Sequence, residues 1–293
     1  LNAANGTITG KAEDTTSLNL KTGNVTVGGT AAIGAAIEAA IYRNTVTAMI
    51  GDNCTVTAKA ILVQAASDRG ITAKAVMAGA GGTASVNGSI LVLSIGAATT
   101  DSDANNANGS GNSSSNASDE ASKRGQAAVD HGYGQTVGAG NQGNQYVDEA
   151  NSIINGLAND NKSLINGYFT STSVDDKTYA GIGDNGSTTA KDGDVTVEAT
   201  EKTKLDAIAG AASGSGAASV GISMNLAIIN GTAEARLGGT VKADKGNVKV
   251  HAQNILNISN FISSGGSVSG SASVAGTITV IKVGEKATAY IAP

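Results

Sequence analysis

The chain has 293 residues, 40 of them Gly, with one Pro, one Cys, no Trp and a formal net charge of −5. Collagen is excluded because it needs Gly at every third position and abundant Pro, and a transmembrane helix because no run of about 18 apolar residues exists. Global disorder is excluded because 40% of residues are apolar, and the acidic balance argues against a nucleic-acid partner, which needs a basic stripe.

The start at Leu1, without Met, a basic segment or an apolar signal core, reads as a processed piece or fragment of something longer. From Gly23 the chain carries a recurring design. Gly29-Thr-Ala-Ala-Ile33, Gly82-Thr-Ala-Ser-Val86, Gly216-Ala-Ala-Ser-Val220 and Gly270-Ser-Ala-Ser-Val274 share one pattern. The interval from Gly29 to Gly82 matches that from Gly216 to Gly270 within one position, and the interval between the two pairs is much longer. A second marker runs in phase: Gly23-Asn-Val-Thr-Val27, Gly193-Asp-Val-Thr-Val197 and Gly246-Asn-Val-Lys-Val250. A third closes the units at Thr47-Ala48-Met49-Ile50, Glu234-Ala235-Arg236-Leu237 and Thr288-Ala289-Tyr290-Ile291. Fixed order and phase mark an internal repeat of about 53 residues.

Each unit reads as several short alternating runs rich in Val, Ile and Thr, separated by Gly, Asn and Asp, which is the pattern of half-buried strands. The expected fold is all-β, a parallel β-helix (β-solenoid). Divided by three, the unit gives coils of about 17 to 18 residues and some 12 coils, a rod of roughly 55 Å. Stacked coils explain the composition: Ala, Gly and Ser suit a narrow interior, and Pro is unwelcome where each strand must donate its N–H. An antiparallel sandwich and a propeller are the rival folds; neither explains the phased repeat in a chain without Trp. The expected organisation is a first solenoid part (1–98), an insertion (99–178) and a second part (179–293).

The insertion breaks every pattern. It opens with an Asn/Ser/Gly-rich stretch, then shows helical spacing over 117–130 and from Tyr146 to Tyr168. It holds ten acids and four bases, and four of the eight aromatic residues, Tyr133, Tyr146, Tyr168 and Phe169. Those four are the candidate partner-binding residues, for a surface glycan or protein, with a small core of the segment as the competing role.

The phased blocks, above all Gly216–Ile229, Asp194-Val-Thr-Val-Glu-Ala199 and the closing Thr-Ala-x-Ile, resemble repeats of bacterial filamentous adhesins, of the leukotoxin type and their filamentous-haemagglutinin-like relatives. The resemblance covers 23–96 and 181–293. It implies a long, secreted, surface-attached β-solenoid with no transferable catalytic residues, and no cofactor is expected. Because end coils expose unpaired strand edges, the expected partners are adjacent copies or repeats end to end, by continuation into more repeats or by head-to-tail assembly. A polysaccharide-active β-helix enzyme and a surface-array or ice-binding protein are the alternatives. For the enzyme, Asp148/Glu149, Asp175/Asp176 and Asp192/Asp194 are the paired carboxylates, and turn or helix-surface acids are the simpler reading of each. Gly183-Asp-Asn-Gly186 reads as a turn, Gly79-Ala-Gly-Gly82 as packing, His131 and His251 as exposed, and Cys54 as a small buried residue near a corner.

Overall fold

A computed structural model describes residues 1–96 and 176–292. Of these, 84% lie in strands and none in a helix. The fourteen strands form three parallel sheets. The first contains β1 (Asn2–Gly28), β4 (Thr55–Gly81), β8 (Val195–Ser215) and β12 (Val248–Ser269), with the short β7 (Ser187–Ala190) and β11 (Thr240–Ala243). The second runs β2 (Ala31–Tyr42), β5 (Ala84–Gly96), β9 (Ala218–Asn230) and β13 (Ala272–Val283). The third runs β3 (Thr45–Ile50), β6 (Lys177–Ile182), β10 (Thr232–Leu237) and β14 (Lys286–Ile291).

The chain therefore visits the three sheets in the same order four times. Equivalent strands of successive passes pair in register: Ile8 with Ile61, Ile61 with Val195, and Val195 with Val248. The repeated glycines stack too, Gly216 N–H donating to Gly82 O (3.0 Å) and Gly270 N–H to Gly216 O (3.1 Å). Parallel pairing and the phase of the repeat thus agree with the sequence.

Two expectations are corrected. One unit is one pass, not three coils: pairing offsets are whole units, so the described chain makes four passes, about 19 Å tall at the usual strand spacing, where twelve coils would reach roughly 55 Å. The three-fold division belongs to the three sides of a pass. The strands are also far longer than the short runs expected; β1 and β4 each span 27 residues. β4 runs straight through Ser67-Asp68-Arg69-Gly70 because its backbone groups are paired by β1 on one side and β8 on the other, which overrides the turn preference of such residues.

The interior follows from the columns this register creates. Four columns are wholly Ala: 12, 65, 199 and 252; 31, 84, 218 and 272; 48, 180, 235 and 289; and 3, 58, 190 and 243. In the inner passes Ala58, Ala65, Ala180, Ala190, Ala199 and Ala235 are fully buried, and side chains this small let the walls of the interior pack closely. One apolar core surrounds Ile61, Val63, Val195 and Val197; another surrounds Ile71, Leu91, Leu93, Leu205 and Ile229. Beyond the second lies a Ser/Asn seam, in which Asn87 donates to Ser85 Oγ (2.8 Å) and Ser213 Oγ (3.1 Å) and Ser213 donates to Ser85 O (2.9 Å). Gly79 makes room for it: a Cβ there would lie 2.3 Å from Asn87 Oδ1.

Between β5 and β6, Gly96 aligns with Asn230 and Thr178 with Ala233. In chain order, residues 97–177 thus correspond to Gly231 and Thr232 of the next pass. The expected boundary at 178 moves slightly, since Lys177 and Thr178 already belong to β6.

Candidate functional site

Tyr133, Tyr146, Tyr168 and Phe169 lie outside the described residues, as do the helical spacing of the insertion, His131, Asp148, Glu149 and Asp175. The remaining carboxylate candidates separate sharply. Asp192 and Asp194 sit on the surface, paired with Lys245 (2.7 Å) and Lys249 (2.5 Å), and these ammonium groups hold both carboxyls below the ordinary range. Asp176, read from sequence as a surface acid, is 3% exposed. It belongs to the most unusual constellation in the described fold, a belt of buried charge lying between the two apolar cores.

The belt is assembled by register. Asp14, Ser67, Glu201 and Asn254 form one column of the first sheet, and Thr16, Arg69, Thr203 and Leu256 the column two positions on. Facing them, at the corner before the third sheet, come Asn44, Asp176, Gly231 and Glu285. Period-2 alternation points all of the first-sheet positions inward. Arg69, 1% exposed, is the hub. Its Nη2 donates to Asp176 Oδ1 at 2.7 Å and lies 3.1 Å from Glu201 Oε1; its Nε donates to Ser67 Oγ at 3.3 Å. The guanidinium carbon lies 5.5 Å from the centre of the Tyr42 ring, a cation–π distance.

The acids are held as firmly. Asp176 Oδ2 accepts from Asn44 N–H at 2.7 Å. Glu201 Oε2 accepts from Thr232 N–H at 3.1 Å and Thr178 Oγ1 at 3.4 Å. Asp14 Oδ2 accepts from Asn44 Nδ2 (2.6 Å), Thr16 (2.9 Å) and Tyr42 (3.4 Å). Gly231 is required by this crowding, since a Cβ there would lie 2.3 Å from both Glu201 Oε1 and Glu285 Oε2.

One guanidinium thus faces several carboxyls out of water. Desolvation outweighs Arg69 at Glu201, whose carboxyl is pushed up to about 7, with Asp176 and Glu285 adding repulsion. Burial also raises Asp176, against the pull of Arg69 and the Asn44 N–H. It raises Glu285 likewise, with the Gly231 N–H and Arg69 partly opposing. All three carboxyls are thus shifted toward their protonated forms. Arg69, Asp176 and Glu201 are enclosed, at 1%, 3% and 0% exposure.

Of the other candidates, the turn and the exposed histidine lie where the sequence put them, whereas Cys54 is less buried than expected. Asn185 has φ +57°, making Gly183–Gly186 a turn, and His251 faces out, 3.8 Å from Glu198. Cys54 is half-buried against the first apolar core. Arg236 pairs with Asp184 at 2.5 Å beside a shallow cleft of about 670 Å³ at the edge of the third sheet. Among the described residues no group of three or more His, Cys, Asp or Glu is placed to hold a metal ion. No family model, curated protein or solved structure matches the chain.

The sequence reading missed the belt. Its signal was present as polar residues on the inward phase of otherwise apolar strands, at Ser67 and Arg69 in β4 and at Glu201 and Thr203 in β8.

Proposed function

We propose that the chain is a β-solenoid segment of an extracellular, filamentous bacterial surface protein: a rigid rod whose passes supply length and stiffness, and whose 97–175 segment is presented sideways for adhesive contacts. The observation that carries this reading is the four-fold stacking of equivalent strands in register, because a chain that repeats one pass can be lengthened without changing its cross-section. The placement of the extra residues supports the second half. They depart after Gly96 and return at Asp176, two positions whose counterparts in the next pass, Asn230 and Gly231, are consecutive, so a large segment is attached without interrupting the stack. The ion pair from Asp176 to Arg69 anchors its return.

The test is a deletion of 97–175 that joins Gly96 directly to Asp176. The expected outcome is an unchanged β-type circular dichroism spectrum and a retained cooperative unfolding transition, with loss of adhesion to glycan-coated or protein-coated surfaces that the full chain binds. Equal adhesion by both chains would overturn the assignment of contacts to this segment. Collapse of the fold on deletion would overturn its description as a side attachment.

A further inference from the structure

The three sheets differ on their outer sides. The first carries charged and polar residues there, among them Gln64, Asp68, Lys74, Lys202 and Asp206, and the third carries Lys177, Tyr179, Glu234 and Arg236. The outward columns of the second sheet are apolar at every level. They run Ile33, Val86, Val220 and Val274; Ile37, Ile90, Met224 and Ile278; and Ala39, Val92, Leu226 and Val280. The inward neighbours Leu91, Leu93, Ala227 and Ile229 already fill the core against the first sheet. β5 and β9 therefore contain unbroken apolar runs, Ile90 to Leu93 and Leu226 to Ile229, the pattern of strands buried on both faces.

The outward side chains of the inner passes are indeed buried. Ile90, Val92, Met224, Leu226 and Ile228 are 9%, 4%, 7%, 2% and 1% exposed, and they form a cluster made of this sheet alone. The strands of the first sheet, on which the second sheet packs, lie on its opposite side. Apolar residues on an uncovered central strand stay open: on the outer side of β4, Leu62 is half-buried and Val76 is 47% exposed. The outer side of β5 and β9 thus has a cover that no described strand supplies.

We propose that residues 97–175 of the same chain lie back over the outer side of the second sheet, making that sheet a middle layer between the first sheet and the segment. This rests on the reading of the segment as a side attachment and gives it a seat. Three observations select this occupant. The burial is reached within a single chain. β5 itself leads into the segment after Gly96, and the return at Asp176 is fixed to Arg69 at the same corner, so both roots stand at the margin of the face. The segment also carries apolar residues at helical spacing, Val147, Ala150, Ile153, Ile154 and Leu157, which is the stripe a helix needs against a sheet. The sizes agree. β5, β9 and β13, of 13, 13 and 12 residues, make a strip about 40 Å by 15 Å. Tyr146 to Tyr168 wound as a helix would measure about 35 Å by 10 Å.

The test uses the full chain in a Cys54→Ala background. Ile222 lies on the outer side between Gly88 and Gly276, which leave room for a probe. Ile222→Cys labelled with benzophenone maleimide is expected, on illumination, to insert into a peptide from 97–175 of the same chain at every dilution, whereas Val76→Cys with the same label is not. Leu226→Cys should be alkylated at least about 100-fold more slowly than Val76→Cys under native conditions. Should the label at 222 alter the circular dichroism spectrum, Val86→Cys, half-buried on the same side, carries it instead. Products joining two copies would overturn the proposal in favour of a second copy seated on the face. Insertion confined to the strands, or equal reactivity of the 226 and 76 thiols, would overturn it outright. None of these readouts involves adhesion, so a failure here leaves the role of the segment in contacts to the deletion assay. In that deletion the strands would persist with this face laid open.

Discussion

Glu201 gives the sharpest quantitative expectation. Its carboxyl sits at about 7 in the folded protein against an ordinary 4.5, because burial and the neighbouring acids outweigh Arg69. The folded state then holds a proton that the unfolded chain releases between these values, so this group lowers stability as pH rises from 4.5 to 7. At 1.36 kcal/mol per pH unit the full effect is about 3 kcal/mol, nearly absent at pH 4 and complete by pH 8. Asp176 and Glu285, also raised, act in the same direction. The surface carboxyls Asp192, Asp194 and Asp244 are lowered by their lysines, so their stabilisation is lost only as pH falls below their ordinary 3.8, outside this window. Glu201→Gln removes the titration and leaves the shape. The assay is urea unfolding followed by circular dichroism at several pH values from 4 to 8.5. The Gln variant should lose a roughly constant amount because its amide nitrogen cannot accept from the Thr232 N–H as Glu201 Oε2 does, yet gain about 3 kcal/mol relative to the unmodified chain between pH 4 and pH 8. Parallel stability curves for the two proteins would refute the argument.

Three other perturbations are expected to separate the forces in the fold. Arg69→Met leaves Asp176 and Glu201 buried without their cation and should cost about 3–5 kcal/mol, more at pH 8 than at pH 4, in the same urea titration. Gly96→Ala places a Cβ 2.0 Å from Asn230 O at a residue with φ +90°; thermal unfolding should show a loss of about 1–3 kcal/mol, whereas Gly29→Ala, whose Cβ would meet nothing within 4 Å, should be close to neutral. Ala199→Leu forces a larger side chain into an all-Ala column at 0% exposure and should cost at least about 1–3 kcal/mol in urea.

The periodic part of this fold was legible in the sequence because it is carried by small, phased residues. Gly82, Gly216 and Gly270, unevenly spaced along the chain, are stacked in the structure. The Ala48, Ala235 and Ala289 markers belong to one column whose fourth member, Ala180, went unrecognised because Tyr179 and Gly181 disguise it and 97–175 displaces it. The length of a pass was legible and its shape was not. Gly, Asn and Asp read as breaks between short runs, yet Ser67-Asp68-Arg69-Gly70 and Asn19 to Asn24 continue as strand. Neighbouring strands supply the hydrogen bonds that a turn would otherwise provide. The belt escaped for a different reason. Asp14, Arg69, Asp176 and Glu201 are scattered from the first strand to the eighth, and only the register brings them together; singly, each looks like a solvated charge.

The join between Gly96 and Asp176 has an evolutionary consequence. Because departure and return are neighbours on one corner, lengthening, shortening or exchanging the intervening stretch asks almost nothing of the framework beyond an acid able to meet Arg69 and a cover for the outer side of the second sheet. Such a socket makes the register of the strands independent of what stands between its two ends, and the equivalent corners of the other described passes are closed by a few residues each.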